Sequence, residues 1–121
     1  MDSRAKSIRP FLGAKDFEIS RSFYCDLGFT EIIIDPNMSL FQWGDMRFYL
    51  QNAFVKDWID NTMVFFEVDH VDDFWTQLTL LGLDIKYEKV RIVPVKSYDW
   101  GKECFIYDPS GILWHVGEFY K

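Results

Sequence analysis

Cysteine, histidine and positive charge are all scarce in this chain, and each shortage removes a class of function. Its 121 residues include 2 cysteines and 2 histidines. Cys25 and Cys104 fall in helix-like and strand-like segments rather than at ligand spacing, which favours packed, reduced thiols over a disulfide scaffold or a zinc site. Lys and Arg number 13 against 19 Asp and Glu, a net charge of −6. The basic patch that binds phosphates is therefore missing, and nucleic acid is excluded as a partner. No apolar run approaches the ~20 residues that span a bilayer, and none follows Met1-Asp2-Ser3-Arg4 as a leader would. No membrane partner is expected, and the chain is expected to be cytoplasmic. Gly-x-Ser-x-Gly, a phosphate-cradling glycine loop and a readable Cys–His pair are all absent, so no catalytic residue is nominated.

What the chain has in quantity is aromatic surface and an internal echo. Phe, Trp and Tyr make up 19% of residues, enough for a large core and for stacking pockets that take planar ligands. A chain of this length buries roughly two-thirds of its unfolded surface and needs no staple, so residues 1–121 are read as one domain. Pro10-Phe11-Leu12-Gly13-Ala14-Lys15-Asp16, running on to Gly28, has the grammar of Val64-Phe65-Phe66-Glu67-Val68-Asp69-His70, running on to Gly82; the offset is 82 − 28 = 54 residues. Each copy reads as strand, polar cap, amphipathic helix and terminating glycine.

The expected order is βαβββ twice, an α+β fold whose two modules form a curled mixed sheet with a cup-like cavity. Module one spans about 7–52, a connector 53–61 and module two about 62–119. Strands are expected over Ser7–Ala14, Phe29–Ile34, Ser39–Trp43 and Met46–Gln51, then Thr62–Val68, Asp84–Ile92, Lys102–Tyr107 and Ile112–Phe119. Helices are expected over Phe17–Leu27, capped by Asp16, and Val71–Leu81, with Val93–Trp100 irregular. The cluster Asp69-His70-Val71-Asp72-Asp73 reads as a helix cap in which carboxylates meet free amides, rather than as a metal motif. Pro10 has no amide donor, so its strand must be an edge, a bulge or a hinge.

That order, together with Asn61-Thr62-Met63-Val64-Phe65, Trp100-Gly101-Lys102-Glu103-Cys104-Phe105 and Asp108-Pro109-Ser110-Gly111-Ile112-Leu113-Trp114-His115, resembles the vicinal oxygen chelate superfamily. This superfamily includes glyoxalase I, extradiol dioxygenases and bleomycin resistance proteins, and the last branch is the most similar. The resemblance implies the glyoxalase/bleomycin resistance fold, with Pro10 as a hinge that lets the first strand exchange between subunits of a homodimer. It also implies four metal-ligand positions, which fall here on Arg9, Phe48, Met63 and His115. Only His115 has suitable chemistry: arginine stays protonated, phenylalanine has no donor, and a thioether suits hard ions poorly. No metal and no cofactor are expected.

Period-two counting places Phe11, Phe48, Leu50, Met63, Phe65 and Leu113 on the cup face, with Arg9 and His115 as polar exceptions; Glu118 should point to the other side. Trp100 is positioned to cover the groove and stack on a planar ligand. The expected ligand-binding set is thus Arg9, Phe11, Phe48, Met63, Phe65, Trp100, Leu113 and His115. The expected function is metal-independent binding of a small molecule, bleomycin-like or otherwise planar or cationic, in grooves at a homodimer interface, acting in antibiotic resistance by sequestration. The alternative is a metal-dependent glyoxalase-like lyase or dioxygenase-like enzyme, and a third reading is an interaction subunit whose groove receives a peptide.

Overall fold

The grammar seen twice in the sequence builds the same unit twice. The computed structural model describes residues 3–121. The first unit contains β1 (Phe11–Gly13), α1 (Phe17–Leu27), β2 (Thr30–Asp35), β3 (Met38–Trp43) and β4 (Met46–Gln51). A short helix, α2 (Lys56–Asp60), leads to the second: β5 (Met63–Glu67), α3 (Val71–Leu81), α4 (Leu83–Lys86), β6 (Arg91–Ser97), β7 (Gly101–Tyr107) and β8 (Leu113–Phe119). Strand orders are β1-β4-β3-β2 and β5-β8-β7-β6, each with one parallel pair, β1–β4 and β5–β8. The two mixed sheets do not close on each other.

Local chemistry explains most boundaries. Asp16 accepts the amide of Ile19 at 3.1 Å and starts α1. Gly28 ends it at φ 131°, a backbone angle that a side chain would strain. Three expectations are corrected. The first strand is three residues long rather than Ser7–Ala14; Pro10 contributes only its carbonyl, which accepts the amide of Tyr49 at 2.9 Å, and the chain before it leaves the sheet. The segment after Gly82 is the helix α4, not a strand, because Leu83 is buried and Lys86 and Tyr87 bond Asp26 on α1. The segment expected to be irregular is β6, an edge strand that accommodates Pro94 where its register with β7 shifts.

The start of α3 also differs from expectation. His70 supplies no side-chain cap; Glu118 on β8 accepts the amide of Val71 at 2.9 Å, while Asp72 and Asp73 sit in the first turn and complement the dipole. Glu118→Ala should therefore cost about 1 kcal/mol, the usual worth of a capping acceptor, in urea unfolding. Asp72→Ala should cost less than half of that, because the ion pair it forms with Lys102 is exposed.

The helix-packed faces of the two sheets share one core. Tyr24 on α1 packs on Phe41 and Phe48 of the first unit and on Trp114 of the second, and Phe48 and Trp114 stand 5.5 Å apart. Within this core Tyr24 donates to Asp108 at 2.6 Å, and Trp114 Nε1 donates to the Tyr24 oxygen at 3.0 Å. The turn Asp108-Pro109-Ser110-Gly111 also reaches the first unit, since Ser110 Oγ accepts the amide of Lys15. A motif legible as a hairpin turn thus fastens the two units together.

Candidate functional site

With both helix-packed faces turned inward, the other face of each sheet has no layer over it. Strand register assigns the residues. On the first sheet Phe11, Leu40, Tyr49, Arg47 and Gln42 share the open face, since Phe11 pairs with Tyr49, Leu40 with Tyr49, and Gln42 with Arg47. On the second, Met63, Phe65, Leu113, His115, Phe105 and Glu103 share it. Apolar side chains are left exposed on both, among them Phe11, Ile32, Met63 (65% accessible) and Phe65 (46%). Such exposure is more than scattered surface residues explain.

The second face is an aromatic platform. Phe65 lies 5.6 Å from Phe119, 6.1 Å from Trp100 and 6.4 Å from His115, over which it stacks at 19°. Trp100 in turn stacks on Tyr98 at 4°. The rings are spaced for offset stacking and leave faces open to a planar guest. His115 is held by Phe105, edge to face, and by Glu103, whose Oε2 is 3.3 Å from Nδ1. Glu103 is buried, so this one contact fixes the imidazole and leaves Nε2 for another partner.

The first face carries two guanidinium groups. Arg9 donates from Nη1 to the Tyr49 hydroxyl at 2.9 Å, and its Nε is shut from solvent without an acceptor among the described residues. Arg47 donates from Nε to Gln42 Oε1 at 3.2 Å. Beside them, between the starts of β4 and β5, opens a pocket of about 140 Å³ lined by Pro10, Leu12, Arg47, Phe48, Phe65 and Trp114, among others.

Of the eight residues expected at the site, Arg9 and Phe11 lie on the open face of the first sheet, and Met63, Phe65, Leu113 and His115 on that of the second, with Trp100 beside it. Phe48 and Leu50 are corrections. Both are buried on the helix-packed side, and Phe48 reaches the pocket only from behind. The alternation of Met46 to Gln51 is real, but its phase is the opposite: Arg47, Tyr49 and Gln51 face the opening. Tyr49, Arg47, Glu103, Phe105 and Phe119 were missed. Reading the basic residues of the strand as the open side would have found the first two.

Cys104 is packed as expected, and burial pushes its thiol up to about 12. Cys25 is exposed rather than packed, and its thiol is raised by desolvation and then by the Glu31 charge beside it. The four implied metal positions do not fit an ion: Arg9 is a cation, Phe48 is in the core, Met63 offers only a thioether, and His115 supplies a single imidazole. Among the described residues no three His, Cys, Asp or Glu side chains are grouped to hold one. Among the described residues no helix is long and apolar enough to cross a membrane.

Two βαβββ units packed on a shared core, each with its other sheet face open, have the fold of bleomycin resistance proteins. Solved structures bear this out. The bleomycin-binding protein of bleomycin-producing Streptomyces verticillus, solved with copper(II)-bleomycin, superposes with a TM-score of 0.80 at 24% identity, covering 98% of this chain and 99% of that one. A bleomycin-binding protein complexed with bleomycin gives 0.79 at 21% identity, with 96% and 100% covered. Lactoylglutathione lyase from Agrobacterium tumefaciens gives 0.72 at 20% identity, with 96% of each chain covered. At these identities the likeness is one of fold. No family model and no curated protein matches the sequence.

Proposed function

We propose that this chain is a metal-independent binding protein of the bleomycin resistance type, working in the cytoplasm as a homodimer that sequesters a planar small molecule in grooves between its subunits. The observation that carries this reading is the uncovered aromatic face of the second sheet, where Phe65, Trp100, Phe119 and His115 present ring faces with no ion-holding group beside them. Burying such rings against a planar guest contributes about 25 cal/mol per Å² of apolar area and ~0.5 to 1.5 kcal/mol per stacked pair. A dimer is supported by the geometry of one chain. Two apolar faces pointing away from a shared core need a second copy to cover them, and Ile8, 95% accessible, lies on an arm before Pro10 that is free to reach a neighbour.

Titration with bleomycin, followed by tryptophan fluorescence, should show saturable quenching. Trp100→Ala and Phe65→Ala should each weaken binding about tenfold, the equivalent of one lost stacking contact. Light scattering at micromolar concentration should give twice the chain mass. No quenching at about 100 µM would remove bleomycin as the ligand, and a clean monomer would remove the interface groove.

A metal-dependent glyoxalase-like lyase or dioxygenase-like enzyme is the second reading, favoured by the likeness to the lactoylglutathione lyase fold. Stoichiometric Zn, Ni, Mn or Fe in protein purified without chelator would establish it against the donor chemistry above.

A further inference from the structure

We infer that the groove selects ligands in which an aromatic ring carries an anionic group, such as an aryl carboxylate or aryl phosphate, and that Arg9 and Arg47 read the anion. The inference rests on the binding reading above, takes the planar rather than the cationic ligand expected from the sequence, and concerns the pocket beside Arg47, not the Phe65–Trp100 platform.

The argument begins with how this acidic chain treats its cations elsewhere. Arg21 is clasped by Glu18 and Glu31, Lys56 by Asp60, Lys86 by Asp26 and Lys102 by Asp72. Lys15, Lys89, Arg91 and Lys96 enter no ion pair among the described residues, so what sets Arg9 and Arg47 apart is the company they keep. Neither enters an ion pair on the open face of the first sheet, among the described residues. Each is held instead by a neutral oxygen, the Tyr49 hydroxyl and the Gln42 amide carbonyl. Neutral acceptors orient a guanidinium without cancelling its charge, so the planar fork keeps its affinity for a carboxylate or phosphate.

The surroundings strengthen that preference. The Arg9 Nε is buried without an acceptor, an arrangement that costs free energy unless a ligand atom completes it. Phe11 stacks on Tyr49 at 4.8 Å, keeping water from one flank. Arg47 belongs to the lining of the 140 Å³ pocket, whose other walls are almost entirely apolar. That volume is close to the ~150 Å³ cavity known to admit a benzene ring. Arg47 and Tyr49 lie two residues apart on one strand face, so Arg9, bonded to Tyr49, is carried on the same face as Arg47, and Arg47 is the guanidinium that lines the pocket. A ring entering the pocket would place a substituent against Arg47, and one that reaches along the face toward Tyr49 would meet Arg9 as well; there a cation is repelled and an anion makes charge-assisted bonds.

Four one-ring probes of matched size test this: benzoate, phenyl phosphate, benzamide and benzylammonium, titrated against the full chain at low and high salt, with the fluorescence of Trp114 in the pocket wall as readout. Both anions should bind about tenfold or more tighter than benzamide, benzylammonium should be weakest, and salt should narrow the spread. Arg9→Gln and Arg47→Gln should each reduce the ratio of anion to benzamide affinity about tenfold, with the light-scattering mass unchanged. Benzylammonium binding as tightly as benzoate, or arginine variants that leave the ratio unchanged, would overturn the inference. Benzamide binding as well as the anions would overturn the charge assignment alone and leave the binding groove standing. Binding by none of the four would overturn both. Variants that dissociate the dimer while keeping the charge preference would assign the arginines to the subunit contact and overturn it as well.

Discussion

Replacing Asp108 with alanine should cost about 3 to 4 kcal/mol and lower Tm by roughly 10 to 15 °C, the largest loss expected from any single polar substitution. The carboxylate is inaccessible to solvent and accepts the amides of Ser110 at 2.8 Å and Ile112 at 2.9 Å and the Tyr24 hydroxyl at 2.6 Å. Alanine leaves those three donors unpaired in the core and breaks the chain of bonds that continues to Trp114 Nε1. Tyr24→Phe removes one link and should cost about half as much. Burial raises the pKa of Asp108, with its hydrogen bonds working against the rise. A carboxyl whose native pKa lies above its unfolded one stabilises the fold fully below the unfolded value and loses that contribution as pH rises through the native value. The penalty of Asp108→Ala in urea unfolding should therefore be larger at pH 4 than at pH 7. An equal or reversed difference would mean that the ionised form is the one the core prefers.

Two glycines in the second sheet should respond to the same substitution in opposite ways. A Cβ at Gly101 would run into the backbone oxygen of Glu118, and the β7–β8 ladder has no means of yielding there. Gly101→Ala should cost about 3 kcal/mol or more. At Gly117 the nearest atom is the Phe65 Cζ at 2.5 Å, the tip of a half-exposed ring that can turn aside. Gly117→Ala should cost less than about 1 kcal/mol, yet tilt Phe65 off the platform and weaken bleomycin quenching about tenfold. Circular-dichroism melts beside ligand titration separate the two. Equal stability losses would show that Phe65 is locked in place rather than available to a guest.

How much of this was legible depended on whether a feature rests on neighbours in sequence. The helices from Phe17 and Val71, the Gly82 terminus at φ 63° and the strand Met46–Gln51 follow from caps, spacing and turn chemistry within a few residues. In Met46–Gln51 alternation gives the period, but the phase goes wrong when the apolar side, Phe48 and Leu50, is taken for the opening and the polar side, Arg47, Tyr49 and Gln51, for the outside. That is why Phe48 and Leu50 were placed in the opening they in fact back onto. The missing strand at Asp84 failed for another reason: Lys86 and Tyr87 are held by Asp26, sixty residues away in sequence. The cap of α3 failed in the same way, since its acceptor, Glu118, lies 47 residues on.

By itself the sequence determined the repeated βαβββ order and the aromatic wealth, because each of these is a matter of composition or of contacts within a few residues. Only the tertiary structure decided which side of each sheet stays open, which rings stand together there, and that Arg9 and Arg47 keep neutral company. Those outcomes hang on a one-residue strand phase and on pairings across the chain, where residues distant in sequence compete for the same partner.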